Sequence, residues 1–133
     1  MPIAPDEDPP ERGRLAASIS TAVVHEFTEH TGRGPTRART TIDGDLVVVV
    51  LRDGQTKAER ALVRAGEGET VLHLRRAFQA TMRDDLVAVV ERLTRCTVQA
   101  FMSANHNEPD TAAEIFILDR APDGAGAPRP TVG

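Results

Sequence analysis

The chain has 133 residues, with four phenylalanines, no tryptophan or tyrosine, one cysteine and a formal net charge of −4. This length predicts one domain, and the lone cysteine excludes an internal disulfide and agrees with a reducing cytoplasm. The negative charge and the scarcity of aromatic side chains argue against nucleic acid as a partner. No apolar run approaches the roughly 18 residues of a membrane span, so membrane insertion is not expected.

The first predicted element is a helix from Leu15 to His30, because its apolar residues fall four apart. Residues 1–11 are acidic and rich in proline, and we expect them to form a disordered tail. Gly32 is predicted to stop the helix, since glycine adopts the left-handed conformation after a helix end without steric cost.

A β-hairpin is predicted next. An alternating run from Thr36 to Ile42 and an apolar run from Leu46 to Leu51 flank Asp43-Gly44, which is a strong hairpin signal. The second run is apolar on both faces of the strand, and such a strand needs cover on both sides.

Two helices follow the hairpin. The segment from Thr56 to Glu59 matches a capping box and predicts a short helix that ends near Arg64. The longest helical period lies between Glu69 and Arg95, with Thr70 as the predicted cap. Its apolar residues recur at steps of three and four, which predicts one face packed on the sheet: Val71, Leu74, Phe78, Met82, Leu86, Val89 and Leu93.

The last two predicted elements are strands, from Val98 to Ser103 and from Ala113 to Leu118, joined by the polar loop from Ala104 to Asp110. Glu114 interrupts the final apolar strand, and we expect an arginine to partner its carboxylate. Residues 120–133 are rich in proline and glycine and are predicted to form a second disordered tail.

These elements predict an α+β fold: a four-stranded antiparallel sheet made from two hairpins, in the order α-β-β-α-α-β-β, with the long helix packed on it. The single domain is predicted to cover residues 12–119. Helices on one side of the sheet would leave an apolar face exposed, which predicts a homodimer that buries this face. Helices on opposite faces of one chain are the competing arrangement.

The loop from Gly32 to Pro35 and its neighbouring arginines form a candidate anion-binding site. Backbone N–H groups in a turn make concavities for anions, and arginine offers a bidentate fork. The competing interpretation is a helix stop beside solvated strand and helix faces. The candidate residues are Arg33, Gly34, Arg37, Arg39 and Arg76.

A second candidate site is the loop that holds His106, Glu108 and Asp110, the densest set of metal-type ligands in the chain. No further cysteine or histidine has zinc-motif spacing, so a hairpin turn is the favoured interpretation and no metal is assigned. Cys96 has no base beside it in the sequence and is predicted to be buried and inert. No catalytic residue and no cofactor are assigned, and a non-catalytic role is favoured.

Five sets of residues stand out together by their order and spacing: Thr31–Thr36, Thr56–Arg60, Arg76–Gln79 with Met82-Arg83, Val90–Thr94, and Phe101–Ser103 through His106, Pro109-Asp110 and Glu114–Phe116. In this order and spacing they resemble the MpsC-like family of small bacterial proteins over about residues 12–119. At two positions the chain departs from the family's usual pattern: Arg95 stands for a glycine and Ala104 for an acidic residue.

The family is named for a Na⁺-translocating, membrane-potential-generating system whose other components are membrane proteins. The resemblance implies a cytoplasmic accessory or regulatory subunit at the inner face of the membrane, acting by protein–protein contact on a transport-system subunit. The competing function is a small-anion or nucleotide sensor that uses the arginines near the Gly32–Pro35 loop. An RNA-binding module is disfavoured by the charge and the few aromatic residues.

Overall fold

The computed structural model describes residues 10–123, which form three helices and four strands. The predicted α+β class and the order α-β-β-α-α-β-β are confirmed. The tails predicted over residues 1–11 and 120–133 lie, apart from their inner ends, outside the described residues. The elements are α1 (Pro10–Thr31), β1 (Arg37–Asp43), β2 (Leu46–Arg52), α2 (Lys57–Arg64), α3 (Gly68–Thr94), β3 (Val98–His106) and β4 (Thr111–Leu118).

All four strands are antiparallel, in the order β1-β2-β4-β3, so the two hairpins join through their second strands. The predicted first hairpin is confirmed, because Asp43 pairs with Leu46 across a two-residue turn. Gly44 in that turn has φ of +61°, a left-handed conformation that glycine adopts without strain. The central pair of the sheet is therefore β2 and β4.

One face of the sheet carries both long helices. Their buried apolar residues form a single cluster with the inward residues of the strands, and burial along β2 and β4 alternates strictly. The competing arrangement, with helices on opposite faces of the sheet, is therefore wrong for the described chain. The largest fully buried apolar side chains of this cluster are Phe116, Ile19, Met82, Leu86, Leu118, Val23, Val47, Val49 and Val90.

The N-terminal half of α3 differs from the predicted apolar face. Leu74 and Phe78 are 37% and 41% exposed, whereas Gln79 is buried and the Arg75 side chain is only 12% exposed. The predicted face is therefore wrong there, because both polar residues find partners inside the fold. The predicted cap is also wrong: α3 begins at Gly68, and Thr70 lies within its first turn.

Elements α1, β3 and β4 also extend beyond their predicted limits. Helix α1 begins at Pro10, since a proline is well accommodated in the first turn of a helix, where its missing N–H has no partner to lose. Strand β3 continues to His106, which pairs with Thr111 at the start of β4, so the predicted loop shrinks to a tight turn.

Helix α3 ends at Thr94, and the next residue, Arg95, has a left-handed φ of 59° and donates its N–H to the carbonyl oxygen of Glu91. This conformation strains any residue with a Cβ and is the common helix-ending position of glycine. The glycine that the family resemblance places here therefore has a physical reason, and this chain carries the strain instead.

Candidate functional site

The second face of the sheet, called the open face below, carries none of the described helices. Val48, Ile115 and Met102 stand side by side across β2, β4 and β3, and Met102 is 48% exposed. A contiguous apolar surface of this kind is typical of a contact surface. Its apolar members are Leu46, Val48, Val50, Ala100, Met102, Ala104, Ala113, Ile115 and Ile117.

Three arginines lie along one side of the open face. Arg37 stands opposite Arg52 in the β1–β2 register, and Arg39 stands opposite Val50. Arg37 Nη2 lies 3.3 Å from Asp53 Oδ2, and Arg52 Nη1 lies 3.5 Å from Thr111 Oγ1. Arg39 makes no hydrogen bond or ion pair with the part of the chain described. The open face therefore combines an apolar centre with a cationic edge.

The loop from Gly32 to Pro35 leans against α1 and the end of β2. Arg33 Nη2 donates to the Asp53 carbonyl oxygen over 3.1 Å, while Arg33 Nε is buried and has no hydrogen-bond partner among residues 10–123. A Cβ at Gly34 would lie 2.1 Å from Thr28 Oγ1, so the close approach of the loop to α1 requires glycine. The predicted anion site is thus partly a packing feature.

Of the five predicted anion-site residues, Arg33 and Arg37 meet at Asp53, and Arg39 shares the strand face of Arg37. Arg76 is exposed on α3 and makes no hydrogen bond or ion pair with the described residues. Anion binding by this set stays a prediction, and Asp53 already engages two of its arginines: Arg37 through the carboxylate and Arg33 through the backbone carbonyl oxygen.

The candidate metal ligands after β3 form a turn. His106 Nδ1 lies 2.9 Å from the Pro109 carbonyl oxygen, and Asp110 Oδ2 accepts from the backbone N–H of Gln55 over 2.8 Å. Glu108 is exposed. The His106 side chain thus bonds the backbone of the turn, and the Asp110 side chain bonds the backbone of the segment before α2.

Within the described chain, a group of three His or carboxylate ligand atoms within 4.8 Å of one another occurs instead between α1 and α3. His30 Nε2 lies 3.0 Å from Asp85 Oδ2 and 3.7 Å from Glu26 Oε2. His30 and Asp85 are exposed, and their hydrogen bond alone explains the geometry.

A buried ion pair joins α2 to α3. Arg75 Nη1 lies 3.2 Å from Glu59 Oε2, and the two side chains are 12% and 7% exposed. Glu59 Oε1 also accepts from the Thr56 N–H, while Thr56 Oγ1 accepts from the Glu59 N–H, so the predicted capping box is confirmed. Glu59 therefore both caps α2 and holds Arg75 inward.

Two further polar contacts lie beneath α3. Gln79 and Asn105 exchange amide hydrogen bonds of 2.9 and 2.7 Å, which fixes α3 against β3. Glu114 is fully buried on β4 and accepts a hydrogen bond from the Ser103 hydroxyl, while its Oε1 has no partner in the described chain.

Burial raises the pKa of Glu114 from 4.5 to about 7, against the lowering effects of the Ser103 hydrogen bond and the Arg75 charge. The arginine expected to partner Glu114 is thus Arg75, acting by its charge, and the direct partner is a serine. The carboxyl changes its charge near neutral pH inside the core.

Arg75, Gln79 and Asn105 belong to none of the sites predicted from the sequence. A signal was present, because Val71, Arg75 and Gln79 are spaced four apart and lead to Met82, on the line that faces inward. Counting only apolar residues assigns the helix face through Leu74 and Phe78 instead.

The fold and the open face together define a two-layer α+β protein with one uncovered sheet face. No helix in the described range 10–123 has the length and apolar character needed to cross a membrane. Residues 11–120 match the family model described as MpsC: Na⁺-translocating membrane potential-generating system (MpsC), and the chain belongs to this family. Comparison with curated proteins and with solved structures gives no match.

Proposed function

We propose that the protein is a non-catalytic accessory or regulatory component of a membrane cation-translocating, potential-generating system, and that it works by protein–protein contact at the cytoplasmic face of the membrane. The family supports the link to such a system. The open face is the observation that carries the contact mechanism, because an apolar sheet surface in water gains free energy when another protein covers it.

The first partner in this proposal is a second copy of the chain, with the two open faces packed together. Strands of seven to nine residues make the face about 25 Å long, and four strands make it about 20 Å wide. Two such faces bury on the order of 1,000 Å², which reaches the lower limit for a specific interface.

Charge placement along β1 suits a two-fold axis perpendicular to the strands. Arg37 and Arg39 lie towards one end of the strand, and Asp43 lies on the same side at the other end. Such an axis places the arginine end of β1 in one copy over the aspartate end of β1 in the other. The attraction between these opposite charges favours this orientation over one in which the strands of the two sheets run parallel.

Two exposed apolar residues on opposite layers provide a matched test of the dimer. Met102→Glu alters the open face, and Leu74→Glu alters the helical layer at a similar exposure, 48% against 37%. Light scattering at micromolar concentration should give twice the 14.4 kDa chain mass for the wild type and for Leu74→Glu. Met102→Glu should give the monomer mass; a monomeric wild type, or a dimeric Met102→Glu, would contradict the proposal.

The role at the membrane is tested in the native cell. Cells that lack the protein should show a reduced membrane potential with a potential-sensitive dye, and the wild-type chain should restore it. Affinity capture from solubilised membranes should recover a cation-translocating membrane subunit. An unchanged potential together with capture of no such subunit would refute the accessory role.

The second candidate function is an anion or nucleotide sensor. The observation that favours it is the cationic edge of the open face, where Arg37, Arg39 and Arg52 share one surface, with the unpartnered Nε of Arg33 in the adjacent loop. Three guanidinium groups on one surface attract a phosphate or carboxylate group through charge-assisted hydrogen bonds.

A thermal-shift series with phosphate, ATP and bicarbonate separates this candidate from the first. An anion that binds the native state should raise the melting temperature with the logarithm of its concentration once that exceeds the dissociation constant, and Arg37→Ala with Arg39→Ala should abolish the rise. Arg14→Ala with Arg92→Ala is the control, because it removes equal charge at exposed positions elsewhere. Equal loss in both double variants would show that only net charge matters.

A further inference from the structure

A cavity of about 210 Å³ lies between the three helices, on the opposite layer from the open face. Its walls are mostly apolar, and two of them, Leu74 and Phe78, are more than a third exposed. A chain of this size that packed to ordinary density would fill such a space with side chains. The apolar lining consists of Phe27, Ala58, Leu62, Leu74, Phe78 and Met82.

The polar part of the cavity wall carries no net charge. It contains Arg75 and Glu59, which are paired with each other at 3.2 Å and nearly buried. A ligand anion placed here would meet the Glu59 carboxylate, and a ligand cation would meet the Arg75 guanidinium. A neutral ligand avoids both penalties of placing an unpaired charge in a poorly solvated site.

The same wall has hydrogen-bond donors to spare. Arg75 uses Nη1 for both oxygens of Glu59, and no described residue accepts from its Nη2 or Nε. Gln79 gives one amide hydrogen to Asn105, and an amide nitrogen carries two. Gly54 lines the cavity, and a Cβ there would lie 3.4 Å from Arg75 Nη2, so glycine keeps this donor uncovered.

We propose that this cavity binds a small uncharged, largely apolar molecule that presents one hydrogen-bond acceptor to Arg75 Nη2. A cavity of roughly 150 Å³ holds a benzene ring, so about 210 Å³ holds one ring or branched chain with a two- to three-atom substituent. The proposal is independent of the open face and of the membrane role.

Four probes of similar size separate the contributions. Acetophenone offers a ring and a neutral carbonyl; isopropenylbenzene has the same shape without the acceptor; benzoate and benzylamine carry opposite charges. Amide chemical shifts of ¹⁵N-labelled full-length chain, titrated with each probe, report both affinity and location. Acetophenone should saturate with a dissociation constant on the order of 1 mM, several-fold below that of isopropenylbenzene, with the charged probes weaker still.

Two substitutions on one helix provide the control. Ala58 and Ala61 are both exposed residues of α2, but only Ala58 is among the residues that line the cavity. Ala58→Phe should fill the space and abolish acetophenone binding, whereas Ala61→Phe should bind it as the wild type does. Equal binding by both variants would overturn the assignment of the site.

The remaining outcomes also decide the proposal. Shifts that saturate at residues of α2 and α3 around the cavity support it. Benzoate binding as tightly as acetophenone would overturn the neutral-ligand assignment. The absence of chemical-shift changes with all four probes in the wild type would overturn the small-molecule site and favour a protein side chain as the occupant of the cavity.

Discussion

Replacing the buried carboxyl of Glu114 by an amide should remove a pH dependence of stability that it imposes on the whole domain. The folded chain holds this proton up to about pH 7, whereas the carboxyl ordinarily releases it near 4.5. Between these values the folded state binds more protons than the unfolded state, so the free energy of unfolding falls as pH rises. The contribution is complete below about pH 4.5 and lost above about pH 7.

The size of the effect follows from the two pKa values. At about 1.4 kcal/mol for each pH unit, the wild type should lose on the order of 3 kcal/mol between them. Glu114→Gln keeps the shape and the acceptor for the Ser103 hydroxyl but cannot ionise. It should therefore be more stable than the wild type by up to that amount near pH 8, and the difference should shrink towards pH 4.5.

Urea unfolding followed by circular dichroism at half-unit steps of pH measures this difference directly. The two proteins differ only at residue 114, so subtracting one curve from the other cancels the contributions of the groups that they share. Ser103→Ala removes a contact that lowers the pKa of Glu114 and should move the loss of stability to higher pH. Parallel pH curves for wild type and Glu114→Gln would refute the reasoning.

Two further substitutions test the energetics of α3. Arg95→Gly should raise the free energy of unfolding by about 1 kcal/mol, because glycine adopts the φ of 59° without strain; unchanged urea midpoints would contradict this. Arg75→Met should lower the free energy of unfolding by about 3 kcal/mol, because Glu59 loses its buried partner. Adding Glu59→Gln to Arg75→Met should recover part of this loss, since it removes the unpaired charge. A further loss in the double variant would contradict the unpaired charge as the cause.

The elements that the sequence predicts well are those set by neighbouring residues. The Asp43-Gly44 signal places the first hairpin because the turn conformation depends on those residues alone. The capping box at Thr56 and Glu59 places α2 for the same reason, since its donors and acceptors lie within four residues.

The parts that the sequence does not predict depend on residues far apart in the chain. The Arg75 side chain points inward because it forms an ion pair with Glu59 of α2. The Gln79 side chain points inward because it exchanges amide hydrogen bonds with Asn105 of β3. Apolar periodicity carries no information about such partners, so it assigns Leu74 and Phe78 to the core and leaves the cavity beneath them unforeseen. The open face is predictable, because the apolar run from Leu46 to Leu51 exceeds what one layer of helices covers.

The strand order β1-β2-β4-β3 also determines when the sheet can form while the chain is being synthesised. The inner edge of β2 stays without hydrogen-bond partners until β4, the last of these four strands to be synthesised, inserts beside it. Throughout translation of α2, α3 and β3, the nascent chain therefore carries a valine-rich strand edge without hydrogen-bond partners. Unpaired edges of this kind promote aggregation and are bound by chaperones. Premature termination anywhere before Leu118 should yield an insoluble fragment rather than a smaller folded unit.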